Sequence, residues 1–278
     1  MVGTKCTDIR EEKTMPHGII VRTSEGKILH LECHESLPST HELARIYAKM
    51  DCTDGYVVFS EKQTKYDSLG RPLPEGASEH GVYLSCILRP SIFPSQAGFL
   101  GAMSAVALQT ALEEHTDKDI GIGWISDVFC EGEKIGTTTT EGKLDSFMAY
   151  EYIIISFAVR LDDEKFPPRL SDLIKKVFES ENTSISLIIA KKILEKFFTL
   201  YPRRVKTPEK FMDVYKRKFI LGGVKAKYIE GDKKKRCKIL GIDNADGRLI
   251  IETAQGKMKH ISSNKSIIIP DKIKSKNK

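Results

Sequence analysis

Apolar and polar residues change period along this chain, and each change marks an element. From Gly18 to Glu32, two short runs, Ile19-Ile20-Val21 and Ile28-Leu29-His30-Leu31, flank Ser24-Glu25-Gly26-Lys27. Short apolar runs on either side of a glycine-bearing turn predict a β-hairpin. From His41 to Met50 the apolar residues recur at helical spacing, and Ser39-Thr40 just before them suits a helix N-cap. Tyr56-Val57-Val58-Phe59-Ser60 reads as a buried strand and Val82 to Leu88 as another. Between them, Lys62 to His80 lacks hydrophobic periodicity and holds Gly70, Pro72, Pro74 and Gly76, which predicts a long, mobile loop. Loops of that length inside a compact domain are commonly functional.

Further on, a helix is predicted from about Ser95 to His115, where Ala102, Ala105, Ala107 and Ala111 permit close packing. Strands are expected around Ile120 to Val128 and in Tyr150 to Val159. Ser186 to Tyr201 carries Leu187, Ile193, Leu194 and Phe197 along one stripe, the pattern of an amphipathic helix, and Pro208 to Lys218 is a second helical stretch. After Gly222-Gly223 the pattern becomes four short strands, Val224 to Ile229, Arg236 to Ile242, Leu249 to Thr253 and Met258 to Ile261. Turn signals at Glu230-Gly231-Asp232, Asn244 to Gly247 and Gln255-Gly256-Lys257 separate them, which predicts a small β-barrel.

Composition adds scale and charge. With 278 residues, 40% of them apolar, the chain can bury one sizeable core and a satellite domain. The net charge of +6 hides a division near Pro202: residues 203–278 hold 22 Lys and Arg against 8 Asp and Glu, a net +14, leaving −8 before them. A basic segment attracts nucleic acid or an acidic partner, or is simply a solvated surface with a frayed tail from Lys272 to Lys278. No apolar run approaches the roughly 20 residues that span a bilayer, and the six cysteines form no CxxC pair and no metal-spaced cluster. These features predict a cytoplasmic protein with reduced thiols, no metal site and no membrane partner.

Five segments in order then stand out: Ser39-Thr40-His41; Gly55 to Ser60 running into Glu61-Lys62-Gln63-Thr64; Val82-Tyr83-Leu84-Ser85; Gly123-Trp124-Ile125-Ser126-Asp127; and Lys134-Ile135-Gly136. In order and spacing they resemble the biotin protein ligase family, whose signposts read STN, EEQTxGRGRxGR, NLYLS, KWPND and KxxGIL, followed by a GIGxN strand and a small barrel. The resemblance runs from about Leu31 to Ile269. It implies an α+β fold, a mixed sheet with flanking helices like that of class II synthetases, followed by an SH3-like β-barrel. The implied domains are a ligase-like domain over 14–205, a connecting helix and barrel over 206–270, and a basic tail over 271–278. No helix-turn-helix pattern precedes the first hairpin, so the resemblance is to the form lacking a DNA-binding domain.

The implied activity is ATP-dependent attachment of biotin, through biotinyl-AMP, to a lysine of a carboxylase carrier domain, with ATP, Mg and biotin as cofactors and substrates. The implied ligand-binding residues are Ser39, Thr40, Gln63, Thr64, Trp124 and Asp127, and the first five of these are expected to converge on one concave site. The chain also departs from the pattern. Asp67 stands where the first loop arginine is expected, leaving Gly70-Arg71, and Gly123 replaces the lysine of KWPND. Joining two anions needs fixed positive charge in the transition state. Arg71 and Lys134 are the candidate catalytic cations, and glycine at 123 is expected to leave room for a long side chain from a neighbour. Two alternatives stay open: a catalytically silent relative that binds a ligand or partner, and lipoate or octanoate transfer through Cys86 or Cys130. Each site residue also has a plain structural reading: helix cap for Ser39-Thr40, core for Trp124, turn for Asp127, hairpin surface for Lys134, solvated strand for Thr137 to Thr140. His41 reads as a surface helix residue rather than a base.

Overall fold

The computed structural model describes residues 17–67, 70–92, 94–97, 99–116, 118–161, 184–201, 209–243, 247–262, 266–269 and 273. Eight strands form one sheet: β1 (His17–Arg22), β2 (Ile28–His34), β3 (Tyr56–Gln63), β4 (Glu79–Leu88), β5 (Ile120–Ile122), β6 (Asp127–Cys130), β7 (Glu133–Leu144) and β8 (Tyr150–Arg160). Their spatial order is β1-β2-β3-β4-β8-β7-β6-β5, antiparallel throughout except where β2 runs parallel to β3. Helix α1 (Thr40–Lys49) supplies the crossover that a parallel pair requires, and it covers one face of the sheet. A short α2 (Pro94–Ala97) precedes α3 (Leu100–Glu113), which packs on the other face with α4 (Ile185–Leu200) and α5 (Glu209–Lys218). A five-stranded antiparallel sheet follows, made of β9 (Lys225–Glu230), β10 (Lys233–Ile242), β11 (Leu249–Thr253), β12 (Met258–Ile261) and β13 (Ile267–Ile268), in the order β12-β11-β10-β9-β13.

The two faces of the large sheet differ because the strands alternate. On β4, Val82, Leu84, Cys86 and Leu88 enter the main core with Ile153, Ile155, Phe157 and Val159 of β8. Helix α3 is buried almost all round by that core and by the helices covering it, which is why its sequence is apolar on every side. On the opposite face, Ala44 and Ala48 let α1 approach Val58, Ile87 and Ile154 closely. Ser39 caps α1 by accepting from the Glu42 amide at 3.3 Å. At the other end Arg89 donates to the carbonyl of Ala48 in the last turn of the helix at 2.9 Å, and to those of Cys52 and of Glu151 on β8 at 2.9 and 2.8 Å, tying the helix end to the sheet.

The structure changes several expectations. The helix predicted over Ser95 to His115 is two, because Pro94 opens a short turn and the long helix starts only at Leu100. The strand predicted over Ile120 to Val128 is a hairpin: Gly123 donates to the Asp127 carbonyl at 2.8 Å and the chain reverses between β5 and β6. Strand β7 is twelve residues long and far exceeds its threonine run. The predicted loop is shorter than Lys62 to His80, since Lys62 and Gln63 end β3 and Glu79 and His80 begin β4. Within it Tyr66 bridges Pro72, and Leu73 donates to the Lys65 carbonyl at 2.9 Å. Residues of the basic tail lie outside the described ones except Ile273, which is buried and donates to the Gly132 carbonyl at 2.6 Å. Gly132 has φ +84, and a Cβ there would collide with the Ile273 carbonyl, so the hairpin turn and its docked residue both require glycine.

The two sheets meet around Trp124. Trp124, the single tryptophan, is buried with Phe129, Leu221, Tyr228, Ile239 and Leu249. Behind it Tyr215 of α5 is fully buried, and its hydroxyl lies 3.1 Å from the Gly123 carbonyl and 2.9 Å from that of Ile125, donating to both. This contact holds the β5–β6 turn against the connecting helix. Tyr215→Phe should therefore destabilise the protein by about 1–3 kcal/mol, because the turn loses its one hydroxyl donor and the buried Gly123 carbonyl is left without it. Urea unfolding followed by circular dichroism measures this, and Trp124 fluorescence reports whether the interface opens with the rest.

Candidate functional site

The face of the large sheet covered by α1 is apolar at one end and polar at the other. Register places Val58, Ser85, Ser156 and Thr139 side by side across β3, β4, β8 and β7. The next row reads Ser60, Tyr83, Ala158, Thr137 and Asp127, extending to β6. The N-terminus of α1 brings Thr40 and His41 to these rows, and the bridge between Leu37 and Gln63 holds the end of β3 beside them.

A continuous chain of polar contacts results. The Gln63 side-chain carbonyl accepts from the Thr40 amide at 2.9 Å and from its hydroxyl at 3.5 Å, while the Gln63 amide nitrogen donates to the Tyr66 carbonyl at 3.2 Å. Ser85 donates to the Thr40 hydroxyl at 3.0 Å and, its one hydrogen being used there, accepts in its 2.8 Å contact with the Ser156 hydroxyl. Ser156 Oγ lies 2.7 Å from His41 Nδ1, and His41 Nε2 lies 2.9 Å from a Glu141 carboxylate oxygen. An ionised carboxylate only accepts, so Nε2 carries the hydrogen of that contact. Arg45 grips the same carboxylate twice, at 2.7 and 2.5 Å. That guanidinium is the main cause holding the Glu141 carboxyl down to about 2, so the grip persists through neutral pH. It is present above the ordinary carboxylate range and is lost only as pH falls through that range towards 2.

The candidate residues fall into four groups. Thr40 and Gln63 meet directly, with Ser39 at the cap beside them, while the Thr64 side chain is exposed and its amide donates to the Leu37 carbonyl at 3.1 Å. Asp127 and Lys134 form an ion pair at 2.9 Å, and the Thr137 hydroxyl donates to the same carboxylate oxygen at 2.8 Å. Trp124 sits apart from both: its indole is buried under the C-terminal sheet and Nε1 donates to the Gly247 carbonyl at 2.9 Å. Arg71 donates to Asp67 through both its amide and its Nε, each at 2.7 Å, so the acid that replaced the family's arginine holds the remaining one.

Gly123 does not leave the room expected of it. A Cβ there would lie 2.6 Å from Phe129, because that ring fills the space. His41 also differs from its expectation as a surface residue: it is half-buried and joins the sheet to Glu141. Arg160 and Glu79 carry no motif signal that marks them as site residues. Arg160 extends the Ser156 face and pairs with Glu79 at 3.1 Å, and Glu79 accepts from the buried Tyr83 hydroxyl at 2.7 Å. Cys52, Cys86, Cys130 and Cys237 are buried, and burial pushes the Cys86 thiol up, as it does that of Cys130, the reverse of what a nucleophile needs. Among the described residues no three His, Cys, Asp or Glu side chains group to hold a metal. No helix among them is long and apolar enough to cross a membrane.

Comparison with known proteins places this geometry. Residues 223–265 match the family model described as the biotin protein ligase C terminal domain. Over 239 residues the chain is 28% identical to the bifunctional ligase/repressor BirA of Bacillus subtilis (strain 168), covering 84% of this chain and 73% of that protein. The biotin protein ligase from Aquifex aeolicus superposes with a TM-score of 0.59 at 20% identity, covering 86% of this chain and 98% of that one. A biotin protein ligase-like protein of unknown function from Silicibacter shares the fold at a TM-score of 0.57 and 13% identity, over 88% and 97% of the two chains. In its C-terminal match, its ligase relative and its shared architecture, this chain is similar to the biotin protein ligases.

Proposed function

We propose that the polar chain from Gln63 to His41 is a biotin-binding site and that the protein attaches biotin, with ATP and through biotinyl-AMP, to a lysine of a carrier domain. The observation that carries this reading is the chain itself. Hydroxyl, amide and carbonyl groups alternate within a sheet face that is otherwise apolar, and such a row suits a ligand head presenting N–H donors beside a carbonyl acceptor. The resemblance of the surrounding motifs supports the same ligand, and a solved Aquifex aeolicus relative of this fold holds biotin and ATP. Gln63, Thr40 and Ser85 would orient the ring, and Arg71 with Lys134 would face the phosphates. Mg would be carried in on the triphosphate, where one or two carboxylates complete its shell. When bound, ATP supplies the leaving group that activates the biotin carboxylate. The acceptor lysine then displaces AMP.

A second reading has a specific observation in its favour. Four cations near the site are engaged by acids: Arg71 by Asp67, Lys134 by Asp127, Arg45 by Glu141 and Arg160 by Glu79. A protein that binds the ligand without chemistry would show this neutralised arrangement. Catalysis instead requires Arg71 and Lys134 to exchange their carboxylates for phosphate.

Titration calorimetry with biotin, alone and with Mg-ATP, tests the site, and pyrophosphate release tests the chemistry. Gln63→Ala should weaken biotin binding about 10-fold, the loss of roughly one neutral hydrogen bond. An unchanged isotherm would remove Gln63 from the site. In the ligase reading, Lys134→Ala lowers pyrophosphate release by at least about 10²-fold, roughly 2.7 kcal/mol of transition-state stabilisation, and Arg71→Ala does the same. Asp67→Asn frees Arg71 and should leave release intact or raise it. Pyrophosphate release that is absent from the native protein and from Asp67→Asn alike would leave only the binding reading. Gly123→Lys is not a useful gain-of-function test, since it would displace the buried Phe129.

A further inference from the structure

Many described cations of this protein sit beside a carboxylate, but a cluster of them on one surface does not. On the outward side of the C-terminal sheet, Lys225 and Lys227 of β9 and Lys234, Arg236 and Lys238 of β10 are all exposed. None of the five has an ion pair among the described residues. Their neighbours Ala226, Tyr228, Cys237 and Ile239 are buried beneath, so alternation fixes the five on one face. Register sets like charges directly opposite one another: Arg236 against Lys227 and Lys238 against Lys225. Opposed like charges destabilise a sheet, so the arrangement works against the isolated fold. Glu252 lies opposite Lys238 on β11, and Glu230 at the hairpin is already held by Lys235 and Lys259.

We propose that this face of the C-terminal sheet binds the phosphate backbone of double-stranded nucleic acid without reading its sequence. The proposal stands apart from the reading of the polar site. Lys234 to Lys238 span about 14 Å of strand, with the β9 row roughly 5 Å alongside. Over such a length a duplex presents about 8 phosphate charges, enough to match five cations without any one being strained. An acidic protein surface offers fewer charges per length, and many would already be tied to its own lysines and arginines, as they are elsewhere in this chain. The outward positions of β9 to β13 hold no Phe, Tyr or Trp, so there is no platform on which unstacked bases could lie. That favours a duplex over a single strand, and backbone contact over base recognition.

Fluorescence anisotropy of a labelled mixed-sequence duplex of about 24 base pairs, titrated with the full chain between roughly 50 and 200 mM salt, tests this. The expected result is micromolar-range binding that falls steeply with salt and is equal for a scrambled duplex. The triple variant Lys227→Gln, Arg236→Gln, Lys238→Gln should reduce the slope of log K against log salt by about 2.7. Its thermal melting should be unchanged or raised, because repulsion is removed from an exposed face. A parallel variant, Lys274→Gln, Lys276→Gln, Lys278→Gln, reports the contribution of the chain end. Absence of duplex binding at the low salt overturns the proposal. So does binding that survives the triple variant and disappears with the chain-end variant, or tighter binding of a poly-glutamate peptide than of the duplex.

Discussion

The pairing of β4 with β8 is the constraint on which the rest depends, because these two strands lie between unlike environments. Val82, Leu84, Cys86 and Leu88 and their β8 counterparts fill a dry core. One residue along in each case, Ser85 and Ser156 face the helix α1 and the polar chain. A shift of one residue in either strand would bury serines among the leucines and turn the core outward, so register is set by both faces at once. The position of every site group follows from that register. Thr139 of β7, Val58 of β3 and the α1 N-terminus are located relative to this pair.

Burying hydroxyls in such a place is costly unless each finds a partner, at about 1–3 kcal/mol for a group left unsatisfied. The chain from Gln63 to His41 meets that requirement internally. Ser85 is fully buried, yet it has Thr40 on one side and Ser156 on the other. A polar ligand entering here therefore exchanges one set of hydrogen bonds for another rather than filling an apolar void. Selectivity in such a site comes from geometry: a ligand lacking the right donors leaves buried groups unpaired, which is a larger penalty than a lost apolar contact. The contribution of Arg45 and Glu141 is to hold His41 at the end of the chain without themselves being buried in the core.

Much of the architecture was legible from residue order, and the parts that were not share a cause. Strands β10 to β12 lie close to their sequence-predicted limits because glycine-containing turns bound them, and α1 follows from Ser39 ahead of a helical run. Strand β7 escaped because its outward half is polar and gives no apolar alternation to count. The split of the Ser95 to His115 helix and the β5–β6 reversal depend on tertiary packing rather than on local propensity. The site shows the same limit more sharply. Thr40 and Gln63 are found through the motif order, whereas His41 acquires its role from Ser156 and Glu141, 115 and 100 positions away. Trp124 is the converse case: its motif suggested a ligand, but its surroundings are the inner side of the second sheet.

The charge division of the sequence acquires meaning once the partners are known. In the part carrying net −8, acids are spent on cations close to the polar site, so local pairs, rather than net charge, govern the field there. Screening matters little for such short contacts when they are partly buried, and Lys134 and Asp127 are sheltered in this way. In the part carrying net +14 the outward cations of β9 and β10 lack that local answer, and their field extends into solvent until salt screens it over about 10 Å. Two regions of similar lysine and arginine use thus behave oppositely. Under the proposed reading, an anion entering the polar site would have to displace a resident carboxylate, so its affinity would depend on geometry and change little with ionic strength. Across the C-terminal sheet an anion displaces only mobile counterions, so salt concentration controls that surface and leaves the other nearly untouched.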